Sequence, residues 1–441
     1  MIPAQTSTMP RAQASATPPV LGIDFGTTNT VLALLNPDGS TTTARFGTQD
    51  VFRSVLCFWA ESDGRGMGQS SRLRHEAGPA AIEAYLDDPL DSRLIMSMKT
   101  YLAQRSFVET SIFGRRTTLE MLVATFLRSF LAAAGVAPEG LRVIAGRPVR
   151  FAGERTDDAF GEARLRAAFA AAGMAAIDVA YEPEGAGYRF ARTLDAPATV
   201  LIGDFGGGTS DFSVLRFVPG KGVEPLGHAG VGIAGDVFDY RIIDAVISPR
   251  LGKGTTYRVM RGAELPVPPD WYSAFARWHR LSLMRNPKTL REMREVMRGV
   301  EDPHRLANLI ALIEDEMGYR LYQTVAAAKA ALSSAEATKL LFQHKDLDIN
   351  VTITREQFEG WIAPDIAQFA SAVDRVMQQT GMPDIDHVFL TGGTSFVPAV
   401  RRLFDERFGP ERVSTGGEFV SVAEGLALIG RDRAAGFAAG G

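Results

Sequence analysis

The feature that most constrains this chain is a strand-turn-strand pattern that occurs twice, far apart in the sequence. Residues 20–35, VLGIDFGTTNTVLALL, hold two apolar runs joined by a short polar turn, and residues 199–217, TVLIGDFGGGTSDFSVLRF, repeat the plan. Both copies place Asp-Phe-Gly where the first run ends, at 24–26 and 204–206. Two apolar runs around a small turn are typical of a β-hairpin. The sequence therefore predicts two hairpins whose tips carry glycines and polar side chains.

The spacing between the two copies is far longer than the ~20–50 residues of a stacked repeat. We therefore expect a duplicated α/β domain, with one hairpin in each half and a cleft between two facing lobes. The expected boundaries are a first lobe at 20–198 with an inserted subdomain at about 56–128, and a second lobe at 199–430 with a helical inserted subdomain at about 240–363.

Periodicity gives a coarse map of the remaining elements. Residues 71–134 are predicted to be mostly helical, ending at Gly135, and 271–338 are charged and amphipathic in the manner of successive helices. A strand followed by a helix is predicted around Glu182, where DVAYEPEGAGYRFA passes through Glu-Pro. The same order is expected in HVFLTGGTSFVPAVRRLFDERFG, around a third glycine turn.

Composition excludes several classes of protein. The 441 residues are 46% hydrophobic, so the chain can bury a large core. A net charge of −4 offers no electrostatic reason to expect a nucleic acid or an anionic membrane as partner, and no apolar run approaches the ~20 residues that span a bilayer. The single cysteine, Cys57, lies in VLCFW, fits a reducing cytoplasm and is expected to be buried. Residues 1–19 and 431–441 are predicted to be flexible tails.

The two hairpin tips have the composition of phosphate loops. Phosphate requires closely approaching backbone amides and a cation that neutralises its charge. Asp24 and Asp204, at the ends of the first strands of the two hairpins, are the candidates for holding Mg²⁺ through water. Asp211 is a further polar contact to consider. The candidate donors are Gly26, Thr27, Thr28 and Asn29 in the first loop, and Gly206, Gly207, Gly208 and Thr209 in the second.

These motifs have other interpretations. Either loop alone could be an ordinary tight hairpin, but a shared Asp-Phe-Gly makes coincidence a poor explanation for both. Protein kinases also use Asp-Phe-Gly, yet the chain lacks a His-Arg-Asp catalytic loop, and it has no Walker A sequence. The third glycine turn, Gly392, Gly393 and Thr394, either lets a nucleoside lie against the backbone or is a plain strand-to-helix turn.

Together the three motifs identify a resemblance. GIDFGTTN, then DFGGGTSD, then TGGTSFVP, in this order, resemble the actin-like ATPase domain of DnaK-type heat-shock chaperones, over roughly residues 20–430. The sequence is most similar to the YegD-type branch of chaperone-like proteins. The resemblance implies an actin-like ATPase fold, with two RNase H-like lobes and inserted subdomains around a nucleotide cleft that holds Mg²⁺ and ATP or ADP.

The resemblance also implies roles for single residues. It places the family's metal-associated aspartates on Asp24 and Asp204, and its phosphate-contacting threonines on Thr27, Thr28 and Thr209. Its catalytic lysine falls on Lys99 and its active-site glutamate on Glu182. From the residues alone, Lys99 could equally be a helical lysine that extends to water, and Glu182 could cap the helix that follows Pro183.

The adenosine side departs from the family pattern. AAAKAALSS matches the family helix at Lys329, Leu332 and Ser333, but Ala330 stands where an adenine-stacking arginine is expected. Ala326 replaces a glutamate, Phe396 occupies another arginine position, and Glu418-Phe419 replaces Pro-Asp. Adenine would then stack on Phe396, which brings nucleotide affinity and base preference into question.

The resemblance favours a chaperone-type ATPase that acts with client or co-chaperone proteins, as a cytoplasmic monomer and without its own peptide-binding domain. Three alternatives remain open. A sugar or metabolite kinase of the same superfamily should show ATP turnover that rises when its substrate is added. An actin-like filament protein should sediment in a nucleotide-dependent way, and a pseudo-ATPase should bind nucleotide without turnover.

Overall fold

The structure is a computed structural model. It describes residues 19–62, 71–153, 156–175, 177–218, 222–259, 262–277, 284–381, 384–416 and 420–434. Most of the two predicted tails, and the departure at Glu418-Phe419, lie outside these residues. The chain divides into two compact units, one formed by residues up to Ala234 together with those from Ala367 onward, and the other by Gly235–Ile366.

The regular elements are numbered here in chain order. The strands are β1 (Val20–Phe25), β2 (Asn29–Leu35), β3 (Thr41–Thr43), β4 (Phe52–Arg53), β5 (Leu56–Ser62), β6 (Ser71–Ala77), β7 (Ser92–Ile95), β8 (Glu109–Ile112), β9 (Arg115–Thr118), β10 (Arg142–Arg147), β11 (Ile177–Tyr181), β12 (Ala198–Phe205), β13 (Ser210–Val218), β14 (Gly222–Val231), β15 (Thr256–Arg258), β16 (Glu264–Pro266), β17 (Ala337–His344), β18 (Leu347–Thr354), β19 (His387–Thr391) and β20 (Val413–Thr415).

The α-helices are α1 (Pro79–Asp87), α2 (Leu119–Ala133), α3 (Asp158–Ala171), α4 (Glu182–Ala191), α5 (Gly235–Ile242), α6 (Pro269–Phe275), α7 (Pro287–Met297), α8 (Pro303–Glu314), α9 (Gly318–Leu332), α10 (Arg355–Thr380), α11 (Pro398–Phe408) and α12 (Ser421–Ala434). A short 3₁₀ helix covers Met98–Tyr101, and another covers Gly393–Phe396. Among the described helices, none combines the length and apolar character that crossing a bilayer requires.

Two sheets of the first unit have the same strand plan. One has the order β11-β10-β1-β2-β3, and the other has the order β20-β19-β12-β13-β14. In each, an antiparallel three-stranded meander continues into two parallel strands. The predicted hairpins are β1-β2 and β12-β13, and the predicted α/β class is confirmed. The division into two lobes around a cleft stays a prediction.

The prediction of mostly helix for residues 71–134 was wrong. Four of the strands lie there, and β6 and β7 flank β5 in a three-stranded sheet. The segment SRLRHEA pairs along the apolar strand β5, whose Cys57 is fully buried as predicted. The threonine-rich strands β8 and β9 form a hairpin around Phe113-Gly114, because β-branched residues and a glycine turn favour pairing over helix. Helix α2 was predicted correctly, and Gly135 follows it with φ of 70°.

Helices α4 and α12 meet through their backbones. A Cβ atom on Gly425 would lie 1.6 Å from the carbonyl oxygen of Gly185, so only glycine permits this approach. Helix α12 also lies against β1, where a Cβ on Gly22 would lie 2.0 Å from the carbonyl oxygen of Ala423. It continues to Ala434, beyond the predicted start of the tail at 431, and basic side chains in its last turn suit the helix dipole. This packing fixes α4, whose first residue is Glu182.

The second unit, Gly235–Ile366, is largely helical in its described part, with α5 to α9 and the start of α10. Buried leucines and isoleucines on one face of α8, such as Leu309 and Ile313, match its periodic sequence. The predicted helical run to residue 338 ends earlier, because β17 begins at Ala337 and pairs with β18. Strand β18 leads directly into helix α10.

Candidate functional site

The two Asp-Phe-Gly turns close their hairpins in the same way. A Cβ on Gly26 would lie 2.2 Å from the carbonyl oxygen of Asn29, and the amide of Gly206 donates to the carbonyl of Thr209 at 3.0 Å. The turn glycine and the residue three positions later therefore approach closely in both loops. At Gly26 this approach leaves no room for a side chain.

The two loops lie side by side. A Cβ on Gly208, in the second loop, would be 3.0 Å from Oγ1 of Thr27 in the first loop and 3.6 Å from Oγ1 of Thr100. Thr27 and Thr209 are both nearly buried, with 8% and 9% of their surface exposed. The structure thus brings together two predicted phosphate loops that are far apart in the sequence.

The third glycine turn packs against the second loop. Gly392 has φ of 85°, and a Cβ there would lie 2.1 Å from the carbonyl oxygen of Phe205. The Ser395 hydroxyl donates to the Gly392 carbonyl at 2.7 Å, and Thr394 is buried. Gly392 is therefore required by its backbone conformation and by its close approach to Phe205. The turn follows the carboxyl end of β19, and Asp204 lies near the carboxyl end of β12, the parallel neighbour of β19.

Lys99 and Glu182 form a buried ion pair. Nζ of Lys99 lies 2.5 Å from Oε1 of Glu182, although 83 residues separate them in the chain. Lys99 lies in the 3₁₀ helix that begins at Met98, after Ser97, whose φ of 51° is left-handed. The interpretation of Lys99 as a helical lysine extended to water is wrong. Gly146 leaves space for the glutamate, because a Cβ there would be 3.0 Å from Cγ of Glu182.

Asp24 and Asp204 complete an acidic cluster around this pair. Burial, together with the charge of Glu182, raises the pKa of Asp24 to about 7, although Lys99 opposes the shift. The same two causes, joined by the charges of Asp24 and Asp211, raise the pKa of Asp204 well above its usual value. Burial alone would lower the pKa of Lys99, but Glu182, Asp24 and Asp204 raise it, so the ammonium stays charged.

Asp211 belongs to the same cluster, which the sequence indicated only weakly. It lies opposite Asp204 in the hairpin register and is 1% exposed. Its Oδ1 accepts hydrogen bonds from the amides of Val149 and Arg150, at 2.9 and 3.2 Å. Burial and the charge of Glu182 raise its pKa to about 7. The available signal was a carboxylate in a strand whose other buried residues, in SDFSVL, carry no charge.

The donor set fits Mg²⁺. Four carboxylates, those of Asp24, Asp204, Asp211 and Glu182, share one buried ammonium. Burial, and after it the surplus negative charge, raises the pKa of each of the three aspartates. Within the described part of the chain, no three His, Cys, Asp or Glu residues are grouped to hold a metal by themselves. Mg²⁺ is usually bound by one or two carboxylates together with water and phosphate oxygens. The carboxylates present suit that mode.

The remaining predicted residues have these positions. The Thr28 carbonyl accepts from the amide of Ser54 at 2.9 Å, and Oδ1 of Asn29 accepts from Arg53 at 3.0 Å. Phe396 is 43% exposed. Lys329 and Ser333 belong to the other compact unit, Gly235–Ile366.

Within that unit, Lys329 is held by two oxygens. Its Nζ donates to Oδ2 of Asp239 at 2.8 Å and to the carbonyl of Gly235 at 3.0 Å. Asp239 is 1% exposed, and burial raises its pKa although Lys329 opposes the shift. Ser333 follows the last residue of α9.

Comparison with other proteins agrees with part of the resemblance. The family model described as Hsp70 protein matches residues 304–431. A chaperone protein HscA homolog of Pseudomonas fluorescens is 25% identical over 409 residues, which cover 88% of this chain and 54% of the relative. Chaperone protein HscA homologs of Azotobacter vinelandii are 24% and 25% identical, over 93% of this chain and 58% of each relative.

The chain therefore spans about half the length of the curated relatives it matches. Its residues 304–431 are similar to the Hsp70 family model, and about nine tenths of the chain is similar to HscA chaperone homologs at about a quarter identity. The similarity to the YegD-type branch stays a prediction.

Proposed function

We propose that this protein binds ATP together with Mg²⁺ and hydrolyses it as a chaperone-type ATPase. The buried ion pair of Lys99 and Glu182, set among aspartates beside two glycine loops, is the observation that carries the proposal. Phosphoryl transfer depends almost entirely on positioning and electrostatic stabilisation. A fixed cation, several carboxylates and closely approaching backbone amides are the groups that such a reaction needs.

The phosphate chain would be bound by the loops. Backbone amides of the two loops, Gly26 to Asn29 and Gly207 to Thr209, would bind phosphate oxygens, whereas the amide of Gly206 closes its own hairpin. The hydroxyls of Thr27 and Thr209 would add donors. Asp24 and Asp204 would hold Mg²⁺ through water, and the bound ion would neutralise charge on the phosphates. The raised pKa values of the three aspartates support this arrangement, because a bound cation would offset both the burial of their charges and their mutual repulsion.

In hydrolysis, the oxygen of a water molecule bonds to the γ-phosphorus as the bond to the bridging oxygen breaks, and ADP leaves with that electron pair. Lys99 acts as a fixed positive charge, because its raised pKa keeps it protonated. Glu182 holds Lys99 in place and orients the water. Asp211, with a pKa of about 7, is able to accept the proton that the water loses at neutral pH.

The adenosine would be held by residues that retain only part of the family pattern. Gly392, Gly393 and Thr394 offer a backbone surface, and Phe396 is an exposed aromatic ring on which a base can stack. Weaker selectivity among bases follows, since stacking on a ring is tolerant of base identity.

The chaperone assignment is supported by the relatives, which are named as chaperone proteins. On this proposal the partners are client and co-chaperone proteins, the protein acts in the cytoplasm as a monomer, and neither nucleic acid nor membrane is its ligand. The fold would be two actin-like lobes that close over the nucleotide, of the kind found in the YegD-type branch.

The test compares the native chain with Asp24→Asn, Lys99→Ala and Glu182→Gln. Calorimetry should detect Mg-ATP binding to the native chain, and phosphate release should occur slowly without any added small molecule. Asp24→Asn should weaken binding in Mg²⁺ but not in EDTA, whereas Glu182→Gln should bind normally and lose turnover. A native chain that binds no Mg-ATP would overturn the proposal.

Binding without phosphate release would indicate a pseudo-ATPase. Phosphate transfer that appears only when a sugar or another metabolite is added would identify a kinase instead. Nucleotide-dependent sedimentation would identify a filament protein.

A further inference from the structure

Arg53 lies beside the first phosphate loop. Strand β4 pairs antiparallel with the start of β2, so Arg53 lies opposite Asn29 and Phe52 lies opposite Thr30. The amide of Ser54 donates to the carbonyl of Thr28 at 2.9 Å, which continues this pairing into the loop. A basic residue is therefore fixed by backbone hydrogen bonds beside a loop whose other side chains are uncharged.

The register also determines which face of the sheet carries Arg53. Asn29 and Val31 lie on one face of β2, since side chains alternate along a strand. Val31 lies opposite Asp24, and Asn29 lies opposite Arg53. Directly opposed residues share a face, so Arg53, Asn29 and Asp24 are on the same face of the sheet.

The other face is closed by the core. There the hydroxyls of Thr30 and Ser54, which are both fully buried, lie 2.9 Å apart. The arginine thus lies on the same face of the sheet as Asp24, and the hydroxyl pair of Thr30 and Ser54 lies on the opposite face.

The guanidinium of Arg53 is oriented but not neutralised. Its NH1 donates to Oδ1 of Asn29 at 3.0 Å, and its side chain is partly exposed. Across the described residues no carboxylate forms an ion pair with it, in contrast to Arg74 in β6, which pairs with Glu61 at 2.6 Å. A guanidinium has five N–H donors, so donors remain for an anion.

We propose that Arg53 is a further phosphate-binding residue and that Asn29 holds it in position. The inference rests on the proposed function, because its ligand is the phosphate chain of the bound nucleotide. Arginine suits this role, since its planar donors match phosphate oxygens. The consequence is a shift of binding strength from the base to the phosphates, in a chain that has Ala330 and Phe396 at the family's arginine positions.

The test measures binding of Mg-ATP, adenosine and inorganic tripolyphosphate to the native chain, Arg53→Gln, Arg53→Lys, Asn29→Ala and the control Arg74→Gln. Arg53→Gln should weaken Mg-ATP and tripolyphosphate binding by about 10- to 100-fold, the loss expected for a charge-assisted hydrogen bond. Adenosine binding should not change. Arg74→Gln removes the same charge and should leave every affinity as it was.

Two variants separate a phosphate contact from a scaffolding role. Asn29→Ala removes the same hydrogen bond but keeps the cation, so it should cost less affinity than Arg53→Gln, and Arg53→Lys should recover part of the loss. Equal losses in Asn29→Ala and Arg53→Gln, with no recovery by lysine, would show that Arg53 only supports the loop and would overturn the inference. Unchanged Mg-ATP and tripolyphosphate binding in Arg53→Gln would also overturn it.

The native chain distinguishes failure of the inference from failure of the proposed function. Tripolyphosphate binding that depends on Arg53, without Mg-ATP binding, would sustain the inference and remove the proposed function. A native chain that binds neither ligand would overturn both.

Discussion

The ammonium nitrogen of Lys99 lies 2.5 Å from Oε1 of Glu182, and the two side chains are only 7% and 6% exposed. Lys99 is held by the 3₁₀ helix after β7, whereas Glu182 begins α4 after β11. A buried charge that loses its partner keeps its desolvation cost without compensation. Substitutions in this ion pair therefore test activity and stability together.

Lys99→Ala should reduce the free energy of unfolding of the nucleotide-free protein by about 3–5 kcal/mol, because it leaves buried Glu182 and the aspartates without their cation. Urea unfolding checks the expected loss. Arg116→Ala is the matched control, since Arg116 forms an exposed pair with Glu109 and should cost less than about 1 kcal/mol. Equal effects of the two substitutions would contradict a special role of the buried pair.

Asp211→Asn should stabilise the nucleotide-free protein at pH 8. The folded-state pKa of Asp211 is about 7 and the ordinary value is 3.8, so the folded state binds the proton more tightly than the unfolded state. The ionised form is therefore penalised above pH 7, and the penalty is relieved as the pH falls from about 7 to about 4. Asparagine retains Oδ1 for the amides of Val149 and Arg150.

The expected gain for Asp211→Asn is on the order of 2 kcal/mol at pH 8, given about 1.4 kcal/mol per pKa unit and partial relaxation of the site. The difference between the native and substituted chains should shrink as the pH falls toward 5. Chemical unfolding across this range measures it, and a difference that is constant with pH would contradict the assignment.

Binding of Mg²⁺ with ADP should release protons near pH 6.5. Asp24 has a pKa of about 7, so part of the population is protonated there, and a nearby cation favours the ionised form. Calorimetry in buffers of different ionisation enthalpy counts the released protons. Release should vanish at pH 8.5 and should decrease in Asp24→Asn. The same proton count with and without Mg²⁺ would contradict the expectation.

Gly425→Ala should destabilise the protein by about 3 kcal/mol or more, because the added Cβ would lie 1.6 Å from the carbonyl oxygen of Gly185 and no rotamer can relieve a backbone clash. Gly360→Ala is the control. Gly360 is an exposed glycine within α10 that has no neighbour close to a Cβ, so alanine there should stabilise the helix by about 0.5–1 kcal/mol. Thermal unfolding of both variants distinguishes the two effects.

Local patterns in the sequence predicted the hairpins around Asp24 and Asp204, since two apolar runs and a glycine turn lie within one short window. The partner of Lys99 could not be predicted from its neighbours, because the ion pair depends on how two distant segments fold together. The resemblance to a family supplied both residues, but not their 2.5 Å separation.

The strands in residues 71–118 were missed because charged and apolar side chains alternate there in short runs, which a search for helical periods interprets as amphipathic helix. Asp211 was undervalued for a different reason. Its place in the acidic cluster depends on its burial and on hydrogen bonds from amides of the segment after β10. Neither feature is visible in the hairpin sequence.

The contact between Gly208 and Thr27 has an evolutionary consequence. A side chain at position 208 would press on Oγ1 of Thr27, 3.0 Å from the added Cβ, and would also approach Thr100. A larger residue in one hairpin is therefore tolerated only together with a smaller one in the other. We expect positions 27 and 208 to covary among relatives, so that two loops far apart in the chain diverge as a single unit.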